Sequence, residues 1–291
     1  MTKIEPSVQS RFHLDSASVV TYRYNITNSN RSIQTLGTVR FDLLTKIFGS
    51  QDLPTNNTQV IETQIAAIFE ANRLALTTPV GWDGSIYPNK TGGIRVSWDS
   101  VDNGGIQSGS YQPGFGFSSQ EIPGLGTVEL EGNRKRGVTT YPGEGPQGDI
   151  GQQFKILRQK DFVPRNVAVP TIAVPTPFNA SVLLGRIQSH VHTWIASGLL
   201  DATFSSQLDR YFQAAIDAYS RNQPKVAKEH IETLRKMLKR EHEGIDHDED
   251  EKAEEKNERK SARVTIDRLA ARVLDFDLKY VLKRTDGNDK D

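Results

Sequence analysis

Residues 198–242 read GLLDATFSSQLDRYFQAAIDAYSRNQPKVAKEHIETLRKMLKREH. Phe204, Leu208, Phe212 and Ile216 recur every four residues, and Ala227, Ile231, Leu234 and Leu238 follow a helical spacing after Pro224. That period predicts two amphipathic helices with a short break between them. Pro224 fits the first turn of the second helix, where its missing N–H leaves nothing unpaired, and Arg221-Asn222-Gln223 supplies the polar turn before it. The expectation is an antiparallel helical hairpin with two apolar stripes facing each other.

The rest of the second half is helical in pattern. Leu183, Leu184, Ile187, Val191, Trp194 and Ile195 form a stripe that stops at Ser197-Gly198, and Ile266, Leu269, Ala270, Val273, Leu274, Asp277, Tyr280 and Val281 mark a final helix over about 262–283. A small four-helix bundle over 181–284 follows, with a charged insertion at 243–260. The first half, residues 8–160, has strand grammar. Val20, Tyr22, Tyr24 and Ile26 alternate with polar neighbours, as do Val39, Phe41 and Leu43, then Ile94, Val96 and Trp98. Phe115 and Phe117, Thr127–Leu130 and Phe154–Leu157 mark further strands, with turn clusters such as Gly81-Trp82-Asp83-Gly84 between them. Strands at this spacing predict a β-sandwich, interrupted by a short helix near 60–76 where Ile61, Ile65, Ile68 and Phe69 have helical spacing. Residues 161–180, punctuated by Pro164, Pro170, Pro175 and Pro177, read as a stiff linker; the alternative for their apolar residues is an edge strand on the sandwich.

Composition narrows the function classes. The chain of 291 residues has 36 Lys plus Arg and 36 Asp plus Glu, so no global charge points to nucleic acid or an anionic membrane. Cysteine is absent, which excludes disulfides, a thiolate nucleophile and Cys-based metal sites. No apolar run approaches the roughly 18 residues that would suggest a bilayer span, and the stretch from Met1 has no apolar signal region. The two expectations for location are therefore a cytoplasmic chain or an exported one whose signal was removed.

Two resemblances bear on that choice. YRYNITN at 22–28, PVGW at 79–82, the Trp98 strand, and SGS at 108–110 leading to GFGFSS at 114–119 and Pro123-Gly124 resemble an immunoglobulin-like module of exported bacterial proteins, over about 10–130. Residues 185–283 resemble the FIMAH-type helical domain of exported bacterial proteins, above all AKEHIETL at 227–234 against that family's A-x-x-H-[MI]-x-x-[FL] stretch. The charged insertion departs from that family, which has a short connection there. The resemblances imply an immunoglobulin-like β-sandwich followed by the helical bundle, an extracellular or cell-surface location, and a non-catalytic binding or attachment role toward a protein or polysaccharide. They bring no catalytic residues, so no enzyme is expected.

Several residues have the letters of a site, and each also has a plainer role. Trp82, Tyr87, Trp98 and Tyr111 are the binding candidates, because exposed aromatic faces stack on sugars, as in an accessory carbohydrate-binding module of an extracellular hydrolase. The plainer reading places the tryptophans in the sandwich core. Asp246, Asp248 and Asp250 have the alternating spacing of a calcium loop, yet the sixth and twelfth positions are Glu251 and Asn257 where an EF-hand needs Gly and a bidentate acid. A solvated charged segment is the preferred reading, and no cofactor is expected beyond that weak calcium candidate. His190 and His192, two apart on a helix, face different ways and do not chelate one ion there; His230 reads as a boundary residue.

Overall fold

The computed structural model describes residues 4–16, 18–44, 47, 49–50, 71–72, 74–89, 93–101, 104–132, 162–242 and 265–286. The strand expected at 154–157, the insertion 243–260 with Asp246, Asp248 and Asp250, and the 60–76 helix up to residue 70 lie outside those residues. Ala75 N–H donates to Ala71 O at 3.1 Å, the hydrogen bond of a closing helical turn. The chain divides into two compact units, the first comprising 1–13, 20–119 and 126–169, the second 14–19, 120–125 and 170–291.

Strands β1 (Pro6–Ser16), β2 (Val19–Asn28), β3 (Leu36–Leu43), β4 (Leu76–Thr77), β5 (Trp82–Pro88), β6 (Ile94–Ser100), β7 (Ser110–Ser119), β8 (Ile122–Gly132) and β9 (Phe162–Ile172) make up the first unit, apart from 14–16 of β1, Val19 of β2, 122–125 of β8 and 170–172 of β9, which fall in the second. They form two antiparallel sheets, one ordered β1-β2-β7-β4 and the other β5-β6-β3-β8-β9. Alternation puts Val20, Tyr22, Tyr24 and Ile26 of β2 in the interior, together with Val39, Phe41 and Leu43 of β3. Rings from the two sheets meet there. Tyr24 of β2 lies 4.6 Å from Phe41 of β3, and Phe115 of β7 meets Trp82 of β5 edge-on at 4.9 Å and Trp98 of β6 at 5.7 Å. Each fully buried ring contributes roughly 1.5–3 kcal/mol by leaving water, with edge-to-face geometry adding to it. The other side chains of β3 make cross-strand polar pairs: Thr38 with Asp99 (2.7 Å), Arg40 with Glu129, and Asp42 with Arg95 (2.7 Å). These follow the strand register and mark the outward face of the five-stranded sheet.

Two expectations need correction. Residues 162–172 are not a linker but strand β9, the edge of the five-stranded sheet. An edge tolerates Pro164 and Pro170 because only one side of its backbone must serve a ladder. The other side is capped by side chains, with Ala168 N–H donating to Ser10 Oγ (3.2 Å) and Ala168 O accepting from Tyr24 Oη (2.8 Å). Residues 82–84, read as part of a turn, belong to β5. Gly81 is the turn residue, with φ +81°, whereas Gly84 sits inside the strand because a Cβ there would meet Thr78 Oγ1 and Trp98 Nε1.

Among the described residues the second unit holds four helices: α1 (Ala180–Ala196), α2 (Ala202–Ser220), α3 (Pro224–Glu241) and α4 (Arg268–Thr285). Asn179, Asp201 and Asp267 cap α1, α2 and α4 by accepting first-turn N–H groups, and Pro224 opens α3 as expected. Gly198, at φ +70°, ends α1. The expected stripes are buried apart from Ile195, Ile216 and Leu269, with α1 packed on α2 and α4, and α3 on the same two. Leu200 and Ile266 pair as an isolated bridge, so Asp201 N–H reaches Thr265 O and Asp267 N–H reaches Leu199 O, both at 2.8 Å. This ties the start of α2 to the start of α4.

Candidate functional site

The registers of the first unit bring several loops to one end. Asn28, closing β2, pairs with Ser110, opening β7. Leu36, opening β3, bridges to Ile106, and Trp82, opening β5, pairs with Ser100, closing β6. Val101 N–H donates to Gly81 O at 2.9 Å. Residues 29–35, 78–81, 101 and 104–109 therefore lie together.

Asn28 fixes two of these loops. Its buried Nδ2 donates to Gln34 O and to Ile106 O, both at 2.9 Å, while its own carbonyl accepts from Gly109 N–H at 2.8 Å. Thr35 Oγ1 donates to Gln107 Oε1 (3.0 Å) and Ser108 Oγ to Ser29 O (3.3 Å), so hydroxyls cross the same gap. On this tied framework stand exposed apolar side chains: Ile33 (78 % exposed), Val80 (98 %), Val101 and, at the start of β7, Tyr111 (63 %). Large apolar side chains grouped on fixed loops are the usual mark of an interaction surface.

The expected aromatic platform is not assembled. Trp98 is fully buried, its Nε1–H donating to Thr78 Oγ1 at 3.1 Å, and Trp82 is packed on Phe115. Neither presents an open ring face to a sugar. Tyr87 (46 % exposed) lies near the end of β5 and Tyr111 near the start of β7, at opposite ends of the strands, so the two do not form one surface. The loop readings of sequence missed Ile33, Val80 and Val101, whose single apolar letters inside polar or glycine-rich turns have no period to announce them.

The histidines of the second unit hold structure together. His190 Nε2 accepts Leu125 N–H at 2.9 Å and its ring is edge-on to Trp194; the acceptor role and burial, which lowers its pKa, favour the neutral form. Gly124 permits the approach, since a Cβ there would collide with His190 Nε2 and crowd Thr171. His192 turns the other way and donates from Nε2 to Asp209 Oδ1 (2.7 Å), which also accepts from Gln188 Nε2 (2.8 Å). His230 lies half-buried beside Tyr211. Among the described residues no cluster of three or more His, Asp or Glu has metal-site geometry, and no helix is long and apolar enough to cross a membrane.

Among the described residues, two antiparallel sheets and four helices thus define a mixed β and α chain. No protein family and no curated protein matches it. Among solved structures, the crystal structure of an uncharacterized protein from Nocardia farcinica, described as having an immunoglobulin-like fold, is similar over 46 % of this chain and 90 % of that one. The identity is 12 % and the TM-score 0.27, an overlap too slight to extend that protein's fold to this chain.

Proposed function

We propose that the chain is a non-catalytic binding module: an immunoglobulin-like sandwich, which presents its loop end to a protein partner, joined to a four-helix bundle that serves attachment. The observation that carries this reading is the set of exposed apolar side chains Ile33, Val80, Val101 and Tyr111 at the loop end, where Asn28 holds two of the loops. A fixed loop end loses little conformational freedom on binding, which favours recognition by the loops themselves. The burial of Trp82 and Trp98 argues for a protein partner over a polysaccharide. Work at the cell surface or outside the cell rests on the likeness of 10–130 and 185–283 to modules of exported bacterial proteins, a likeness of residues alone.

Retention tests this reading. The full chain is passed over immobilised cell-surface and secreted proteins and, in parallel, over insoluble polysaccharides and cell-wall material. Retention by the protein fraction, lost when Ile33, Val80 and Tyr111 are replaced by Asp, supports it. Retention by polysaccharide that survives those replacements contradicts it.

A further inference from the structure

The outward face of the five-stranded sheet is arranged in rows that cross its strands. Away from the loop end these rows match opposite charges. Asp42 of β3 stands opposite Arg95 of β6 and bonds it at 2.7 Å, and Arg40 of β3 stands opposite Glu129 of β8 and pairs with it. The row nearest the loop end breaks the pattern, because Asp83 of β5 stands directly opposite Asp99 of β6. Like charges facing each other across a ladder disfavour the sheet.

Among the described residues no cation answers these two acids. Asp83 is exposed and has no hydrogen-bond or ion-pair partner there. Asp99, also exposed, accepts from Thr38 Oγ1 (2.7 Å) and Ser97 Oγ (3.2 Å), neutral donors that orient its carboxylate without cancelling the charge. Arg31, in the neighbouring loop, is engaged with Glu5 at 3.4 Å. The acid pair adjoins the exposed apolar side chains of the loop end. Val101 follows Asp99 by two residues, the spacing of one strand face, and its N–H bond to Gly81 O draws in the segment that carries Val80.

We infer that the protein partner of the loop end presents an apolar contact flanked by arginine or lysine, the apolar part on Val80 and Val101 and the cations on Asp83 and Asp99. Charge complementarity selects this chemistry. A neutral or acidic partner would cover two like charges without a counter-charge, whereas a basic one relieves a repulsion that the free sheet carries. Charges beside an apolar contact act mainly on the rate of encounter and on which partners are refused. With the loop end as the binding surface, a reading on which this inference rests, the acid pair sets the sign of what binds.

A displayed library of random dodecapeptides is selected on the full chain, and recovered peptides are measured as fluorescein conjugates by equilibrium and stopped-flow anisotropy. Peptides with arginine or lysine beside apolar residues are expected to dominate and to lose binding when Val80 and Val101 are replaced by Ser. Asp83→Asn with Asp99→Asn is expected to weaken them about tenfold, chiefly by slower association, and to flatten the fall of that rate with rising salt. Asp83→Asn alone is expected to raise the thermal midpoint by removing the like-charge pair, which separates lost binding from lost fold. Peptides that depend on Val80 and Val101 but lack basic residues, or that bind the double Asn variant as tightly, would overturn the inference and leave the loop end as a binding surface. Recovery of no peptide that depends on Val80 or Val101 would count against both. Binding abolished by a chelator would mark the acids as a metal site and overturn the inference as well.

Discussion

Tyr24 Oη donates to Ala168 O at 2.8 Å, a hydrogen bond from the middle of one sheet to the outer edge of the other, made by a phenol with no solvent exposure. Together with Ser10 Oγ, which accepts Ala168 N–H, it satisfies an edge that would otherwise offer its backbone to another chain. Tyr24→Phe leaves a buried carbonyl without this donor and should cost roughly 1–3 kcal/mol. Burial also holds the phenol's pKa well above its ordinary value. The folded state therefore keeps this proton when the unfolded state loses it, so its contribution is complete below about pH 10 and falls as the pH rises further. Urea unfolding of the two proteins should show Tyr24→Phe weaker at neutral pH, with a shallower alkaline decline.

Asp277 is a fully buried acid on α4 whose Oδ1 has no hydrogen-bond partner among the described residues. Burial raises its pKa well above the carboxylate range, so the folded state binds a proton that the unfolded state releases. Stability therefore declines as the pH rises from about 4, the unfolded value, toward the folded one. Asp277→Leu should stabilise the helical unit by roughly 1–3 kcal/mol at neutral pH and flatten that decline, read from the fluorescence of Trp194.

Asp275, also on α4 and also buried, is paired with Arg235 of α3 at 2.9 Å and with Lys279 at 2.7 Å. Removing the arginine leaves the buried carboxylate with Lys279 as its remaining cation, so Arg235→Met should cost roughly 1–3 kcal/mol. The double variant Arg235→Met with Asp275→Leu should recover much of that loss. A double-mutant cycle by chemical denaturation measures the coupling.

Burial lowers the pKa of His190, the acceptor of Leu125 N–H. The folded state thus binds less proton than the unfolded one, and stability is lost as the pH falls below about 6.5, the unfolded value. His190→Gln offers a neutral amide oxygen as acceptor and should remove most of this acid-side slope in thermal melts between about pH 5 and 7.

The helices were the most legible part of the chain. The four buried positions of α3, Ala227, Ile231, Leu234 and Leu238, are those its period picks out, because one face of an isolated amphipathic helix has no other place to go. Strand alternation did the same for β2 and β3. β9 was harder to read, since Pro164 and Pro170 have the letters of a linker and only three-dimensional closure makes them an edge. Gly84 misled in the opposite direction, as a turn letter retained for close packing against Trp98. The grouping of Ile33, Val80, Val101 and Tyr111 comes from strand register across distant segments, which no local pattern encodes.

The most direct measurement of the central claim is photo-crosslinking from single positions of the full chain, with a diazirine amino acid at Val80 or Tyr111 and, as control, at Arg95 on the outward face of the five-stranded sheet. Each variant is exposed to intact cells and their secreted proteins. The loop end as binding surface predicts one discrete protein adduct from Val80 and Tyr111, lost when Ile33 and Val101 are changed to Asp, and no such adduct from Arg95. The same adducts from all three positions, or none from the loop end, would contradict it.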